Sequence, residues 1–101
     1  MSFRSQVSCV NKRGDHYEPH ERISHIGGIN HSKSLWKLSE YDAINSISCG
    51  EFDFFVLING QPVSVIIGEH EGRQYLKTES DGYSPDNLLA LPECLQRTSE
   101  L

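Results

Sequence analysis

The sequence predicts an α+β domain: a twisted antiparallel sheet of about five strands, in the order β-β-α-β-β-β, with one helix packed on it. Three observations carry this. A well-capped apolar stripe runs from Ser39 to Gly50, two apolar alternating segments flank Asn59-Gly60, and a third such segment follows Glu71-Gly72.

The elements follow in chain order. Gln6 to Asn11 alternates Val7 and Cys9 against Ser8 and Val10 and predicts a first strand. Asn11 to Pro19 carries Gly14, Asp15 and Pro19 and reads as a loop. Glu21 to Ile26 predicts a second strand, with Ile23 and His25 on one face and Arg22, Ser24 and Ile26 on the other. Gly27-Gly28 is expected to end or bend it, and 29–37 to form a second loop holding Trp36. In the helix, Ser39 suits the N-cap, with Asp42 three residues on as in a capping box. Ala43, Ile44 and Ile47 form its apolar stripe, and Gly50 supplies a left-handed stop.

Asn59-Gly60 favours a two-residue type I′ turn. That turn sets Ile58 opposite Gln61, Val56 opposite Val63, Phe54 opposite Val65 and Phe52 opposite Ile67 on one sheet face. This face should meet the helix. The opposite face carries Phe55, Leu57 and Ile66 beside Asp53 and Ser64, and so needs a cover or a partner. A turn at Glu71-Gly72 places Leu76 opposite Ile67 and Tyr75 opposite Gly68. Asp86 or Asn87 can cap a last helical turn through Leu88, Leu89 and Leu91, stopped by Pro92.

The chain has 101 residues, which fits a single domain. Its ordered core is expected over about 5–94 and a frayed polar tail over 95–101. The net charge of −5 argues against a dedicated binder of nucleic-acid backbone. No apolar run approaches the roughly 20 residues that span a bilayer, and the N-terminus lacks a signal core. Three cysteines, Cys9, Cys49 and Cys94, with no CxxC, do not make a secreted disulfide framework. These features together predict a soluble, cytoplasmic protein with no membrane association.

Several segments carry a resemblance: Cys9-Val-Asn-Lys12, Pro19-His-Glu-Arg-Ile23 with Ile26-Gly27, Lys77-Thr78, Asp81-Gly82, and Asp86-Asn-Leu-Leu-Ala-Leu-Pro-Glu-Cys94. In that order the chain resembles a family of small, mostly bacterial proteins, the domain-of-unknown-function family numbered 3892. The Asn87 to Cys94 string is its most specific part. The resemblance implies one small domain and brings neither an established activity nor catalytic residues.

Zinc takes four Cys, His or carboxylate ligands. The candidates here are Cys9, His16, His20 and Cys94, and they require the C-terminal segment to fold back onto the first strand. The ordinary alternative is two small buried hydrophobes and a hydrogen-bonded loop histidine. Gly27-Gly28 invites comparison with a phosphate cradle. No helix follows directly, however, and neither GxGxxG nor GxxxxGK[ST] is present. Cys49 closes the helix at its negative end, where a thiolate is disfavoured. No nucleophile–base–orienter set is indicated, so the chain does not read as an enzyme.

Two surfaces remain. Aromatic residues such as Tyr17, Trp36, Phe55 and Tyr75, with Lys12, Arg13, Arg22 and Lys77 as basic partners, could stack single-stranded nucleic acid, against the acidic total. The two-sided apolar sheet suits a protein partner or self-association. The expected function is therefore a small binding module acting on protein, with Phe55, Leu57, Ile66 and Tyr75 and the nearby Lys12, Arg13 and Arg22 as its surface. A zinc-stabilised domain is the first alternative and single-strand nucleic-acid binding the second.

Overall fold

A computed structural model describes residues 3–14, 17–29, 33–82 and 84–94. Seven strands and two helices alternate along it: β1 (Phe3–Gln6), β2 (Cys9–Lys12), β3 (Ile23–Ile29), β4 (Leu35–Ser39), α1 (Glu40–Ser48), β5 (Phe52–Ile58), β6 (Gln61–His70), β7 (Arg73–Thr78) and α2 (Asp86–Leu89). A 3-10 turn, Pro19–Glu21, leads into β3.

The class is α+β, but the strands form two sheets rather than one antiparallel sheet of five. One has the order β1-β5-β6-β7 and the other β2-β3-β4. The cause lies at Val7-Ser8. The predicted first strand is two strands, because the chain changes sheets there. The Val7 N–H donates to the Phe55 carbonyl at 2.8 Å, and the next N–H, of Ser8, donates to the Gly27 carbonyl at 2.9 Å. As a result β1 runs parallel to β5, whereas β2 runs antiparallel to β3.

The hairpin registers are as the turns dictate. Asn59 and Gly60 both have positive φ, 53° and 80°, and so do Glu71 and Gly72, at 51° and 84°. Both are therefore I′-like turns whose twist matches the strands they join. Ile58 pairs with Gln61, Val56 with Val63, Ile67 with Leu76 and Gly68 with Tyr75. Phe54, Val56, Val65 and Leu76 are buried on the face turned to α1. Ser39 caps α1, its Oγ accepting from the Asp42 N–H at 3.1 Å, and Gly50 ends it at φ 77°.

Three local expectations are corrected. The segment predicted as a loop over 29–37 contains most of β4, which pairs with β3 from Ile29↔Leu35 to His25↔Ser39. Gly27-Gly28 does not end β3; it lies inside it. Lastly, Ile23 and Ile26, not Ile23 and His25, share the core face, at 1% and 0% exposure. Between Asn11↔His25 and Lys12↔Ile23 the register shifts, leaving Ser24 as an extra residue. Such a bulge reverses the alternation of side chains on either side of it.

One core cluster draws on both sheets and both helices, from Val7 and Val10 through Ile23, Ile26, Ala43 and Ile44 to Leu76 and Leu88. Neither Asp86 nor Asn87 caps α2; Pro85 holds the N-cap position. Asp81 organises the segment instead. One of its carboxylate oxygens accepts from the Thr78 N–H and Oγ1–H, and the other accepts from the Asn87 N–H. Beyond α2 the chain folds back on β2. Val10 pairs in parallel with Glu93, the Val10 N–H donates to the Pro92 carbonyl, and the Cys94 N–H donates to the Val10 carbonyl.

Candidate functional site

The C-terminal return brings Cys9 and Cys94 together, as the metal reading required, but as a disulfide with a Cα–Cα separation of 4.8 Å. The pair is thus bonded, where the sequence offered metal ligands or two small buried hydrophobes. Their sulfurs sit over Gly27, where a Cβ would lie 2.9 Å from Cys94 Sγ, 3.0 Å from Cys9 Sγ and 2.7 Å from the Trp36 carbonyl oxygen. Gly27 is thus required by close approach and not by a phosphate. Disulfides are rare in a reducing cytosol, so cysteine usage no longer argues for a cytoplasmic location.

His20 lies elsewhere. Cys9 pairs with Gly27 at one end of β2, whereas His20 precedes Ile23 at the other. The length of β2, roughly 10 Å at the usual rise per residue, separates them. The His20 ring is buried against His70, at a centroid distance of 4.6 Å, and against Tyr75, at 5.7 Å. His16 lies outside the described residues. Among the described residues no group of three or more His, Cys, Asp or Glu side chains is placed to hold a metal ion.

The proposed interaction residues are also divided. Tyr75 is 2% exposed, so it belongs to the interior and not to a surface. Lys12 donates to the Leu89 carbonyl at 3.3 Å, and Arg13 donates to the Glu21 and Ile23 carbonyls. These two cations knit the fold; Arg22 is half-buried. Phe55 and Ile66 are half-buried on the outer sheet face, with the Arg4 guanidinium 4.7 Å from the Phe55 centroid. Leu57 beside them is 47% exposed. The 88–91 leucines do not cover Leu57: Leu88 is fully buried in the core, with Leu89 and Leu91 packed against the same cluster.

A polar hollow of about 550 Å³ lies at the N-terminal end of α1. Glu40 is buried there, 2.8 Å from the Arg73 guanidinium and 4.0 Å from that of Arg13. Burial pushes the Glu40 carboxyl above its ordinary range, and the Arg73 charge and hydrogen bond oppose that. His25 is shifted down, first by burial and then by the charges of Lys37 and Arg13. Arg73 also donates to the His20 and Gln74 carbonyls. This cluster joins α1, β7 and the 3-10 turn, and its guanidinium donors are committed to the Glu40 carboxylate and to backbone carbonyls.

A cleft of about 580 Å³ lies between the edge strands of the two sheets, β4 and β1, with α1 along one side. Its apolar wall is Trp36 and Leu38 from β4 with Phe52 and Phe54 from β5. Trp36 and Phe54 stack at a centroid distance of 5.6 Å, and Phe52 stacks on Phe54 at 6.0 Å. Ser5, Asp42, Asn45, Ser46, Glu51 and the exposed, free thiol of Cys49 complete the lining. Gly28 lets the indole lie close: a Cβ there would be 2.9 Å from Trp36 Nε1 and would also strike the Gln6 carbonyl oxygen. The sequence reading missed this site because it placed Trp36 in a loop. The alternation of Trp36 and Leu38 around Lys37 was the signal available for β4.

Among the described residues no helix is long and apolar enough to cross a membrane. No curated protein and no solved structure matches the chain. The family model described as "Protein of unknown function (DUF3892)" matches residues 6–92. That span takes in β2 to α2, the bent crossing at Val7-Ser8, the β4, α1 and β5 parts of the cleft and the Asp81 network, and the chain belongs to this family of unknown function.

Proposed function

We propose that the chain is a small, non-enzymatic binding module that receives its ligand in the cleft between β4 and β1. One observation carries this reading: stacked Trp36, Phe54 and Phe52 wall an open cleft of ligand size, held by strands and a helix rather than by loops. Concave sites with an apolar wall and a few polar groups are where small ligands bind. Trp36 is the chain's only tryptophan, so its fluorescence reports occupancy directly. A fragment library screened by Trp36 emission should yield ligands that also slow alkylation of Cys49. A library without such ligands contradicts the reading.

A second reading concerns a protein partner or a second copy of the chain, and is favoured by the exposure of Leu57 beside Phe55 and Ile66. Apolar sheet faces left open commonly serve contacts between chains. Native mass spectrometry decides it for self-association: a dimer that Leu57→Glu dissociates supports the reading, and a strict monomer removes it. The zinc and nucleic-acid readings have less support, since Cys9 and Cys94 are bonded to each other and Tyr75 is interior.

A further inference from the structure

We infer that the cleft is selective for a small organic cation free in solution. The inference rests on the binding reading above and adds the charge of the ligand. Aromatic faces carry negative quadrupole potential and attract cations, tryptophan most strongly. Here Trp36 and Phe52 carry the aromatic wall, with the buried Phe54 stacked against both.

The remaining lining has one sign. Asp42 and Glu51 contribute carboxylates, and among the described residues no Lys, Arg or His lines the cleft. Asn45, Ser46 and Cys49 lie at the C-terminal end of α1, where the helix dipole is negative and the last turn carries no basic residue to offset it. Lys37, between Trp36 and Leu38, alternates to the other side of β4, and its charge is felt at His25. The net charge of −5 adds a general field of the same sign. A cation therefore gains from the wall, the rim and the helix end together. An anion is repelled by all three, and a neutral ligand keeps only the apolar contact.

The test uses three probes with one aromatic body: benzyltrimethylammonium, benzyl alcohol and benzoate. Each is titrated into the intact chain while Trp36 emission and the rate of Cys49 alkylation by iodoacetamide are followed. The expected result is that the ammonium binds at least about tenfold more tightly than the alcohol, with benzoate weakest, and that it protects Cys49. Glu51→Gln, at an exposed position that leaves the fold in place, should weaken the ammonium severalfold and leave the alcohol unchanged. Equal affinity for ammonium and alcohol overturns the charge inference and leaves the binding module standing. Failure of all three probes to alter Trp36 or Cys49 at millimolar concentration overturns the binding reading itself. Tighter binding of a short trimethyllysine peptide than of the free ammonium overturns the assignment to a free small molecule.

Discussion

Trp36 of β4 and Phe54 of β5 stack with their planes 27° apart, joining two sheets whose edge strands are not hydrogen-bonded to each other. The contact closes the interior at one point and leaves the cleft open beside it. Its geometry depends on the bare backbone of Gly28, over which the indole passes.

Gly28→Ala should therefore be costly although the new group is one methyl. It would press on the Gln6 carbonyl and on the indole ring at once. Overpacking of this kind costs about 1–3 kcal/mol. Urea denaturation should show that loss, with a shift in Trp36 emission. An unchanged midpoint contradicts the close packing.

The Cys9–Cys94 bond closes a separation of 85 residues. Chain-entropy arguments give such a loop about 4–5 kcal/mol of stabilisation. Reductant should lower the urea midpoint accordingly, and Cys9→Ala with Cys94→Ala should abolish the reductant effect. Thiol titration of the denatured, unreduced chain should find one thiol, Cys49. Three thiols and no response to reductant would contradict the pairing.

The Glu40–Arg73 pair should give a pH signature. Glu40 has a raised carboxyl pKa in the folded state. Its contribution to stability is fully present below the unfolded pKa and is lost as pH rises through the folded one. Removing Arg73 takes away the charge and hydrogen bond that oppose the shift, so the loss with rising pH should grow. Arg73→Ala should cost about 1–3 kcal/mol at pH 7 and less at pH 4. This is below the cost of breaking a fully buried pair, because Arg73 keeps 35% of its side chain in water. His25 acts in the opposite sense: its lowered pKa places its contribution above pH 6.5, with loss on acidification. Stability measured across that range with Arg73→Ala and His25→Gln separates the two.

Asp81 should matter more for folding than for binding. It holds Thr78 and Asn87, and the Asn87 amide in turn donates to Thr78 Oγ1 at 2.8 Å. Asp81→Ala leaves several donors without their acceptor, at about 1–3 kcal/mol. Thermal melts should show the loss, while fragment binding at Trp36 stays within about twofold at temperatures where the chain is folded.

These residues also show how far the sequence could be read. Asn59-Gly60 and Glu71-Gly72 are local signals, so the registers of β5, β6 and β7 follow from the turn chemistry alone. Ser39 and Gly50 bracket α1 in the same way. The crossing at Val7-Ser8 has no local signal, because it depends on Phe55 and Gly27, which are distant in the chain. The bulge at Ser24 is equally invisible in the alternation of one strand, and it changed which side chains near His25 reach the core. Cys9 and Cys94 were legible as a pair only through the C-terminal return to Val10, and their bond replaced a thiolate reading by a covalent one. The cleft was the least legible feature, since its lining comes from β1, β4, α1 and β5 and the segment Cys49–Glu51.

The most direct test of the binding account is amide and indole NMR mapping of the 15N-labelled chain as fragments are added. The account predicts that shifts concentrate on the Trp36 indole N–H and the amides of Asn45, Ser46, Cys49, Glu51 and Phe52. Shifts confined to Phe55, Leu57 and Ile66 on the outer sheet face, or absent altogether, would contradict it.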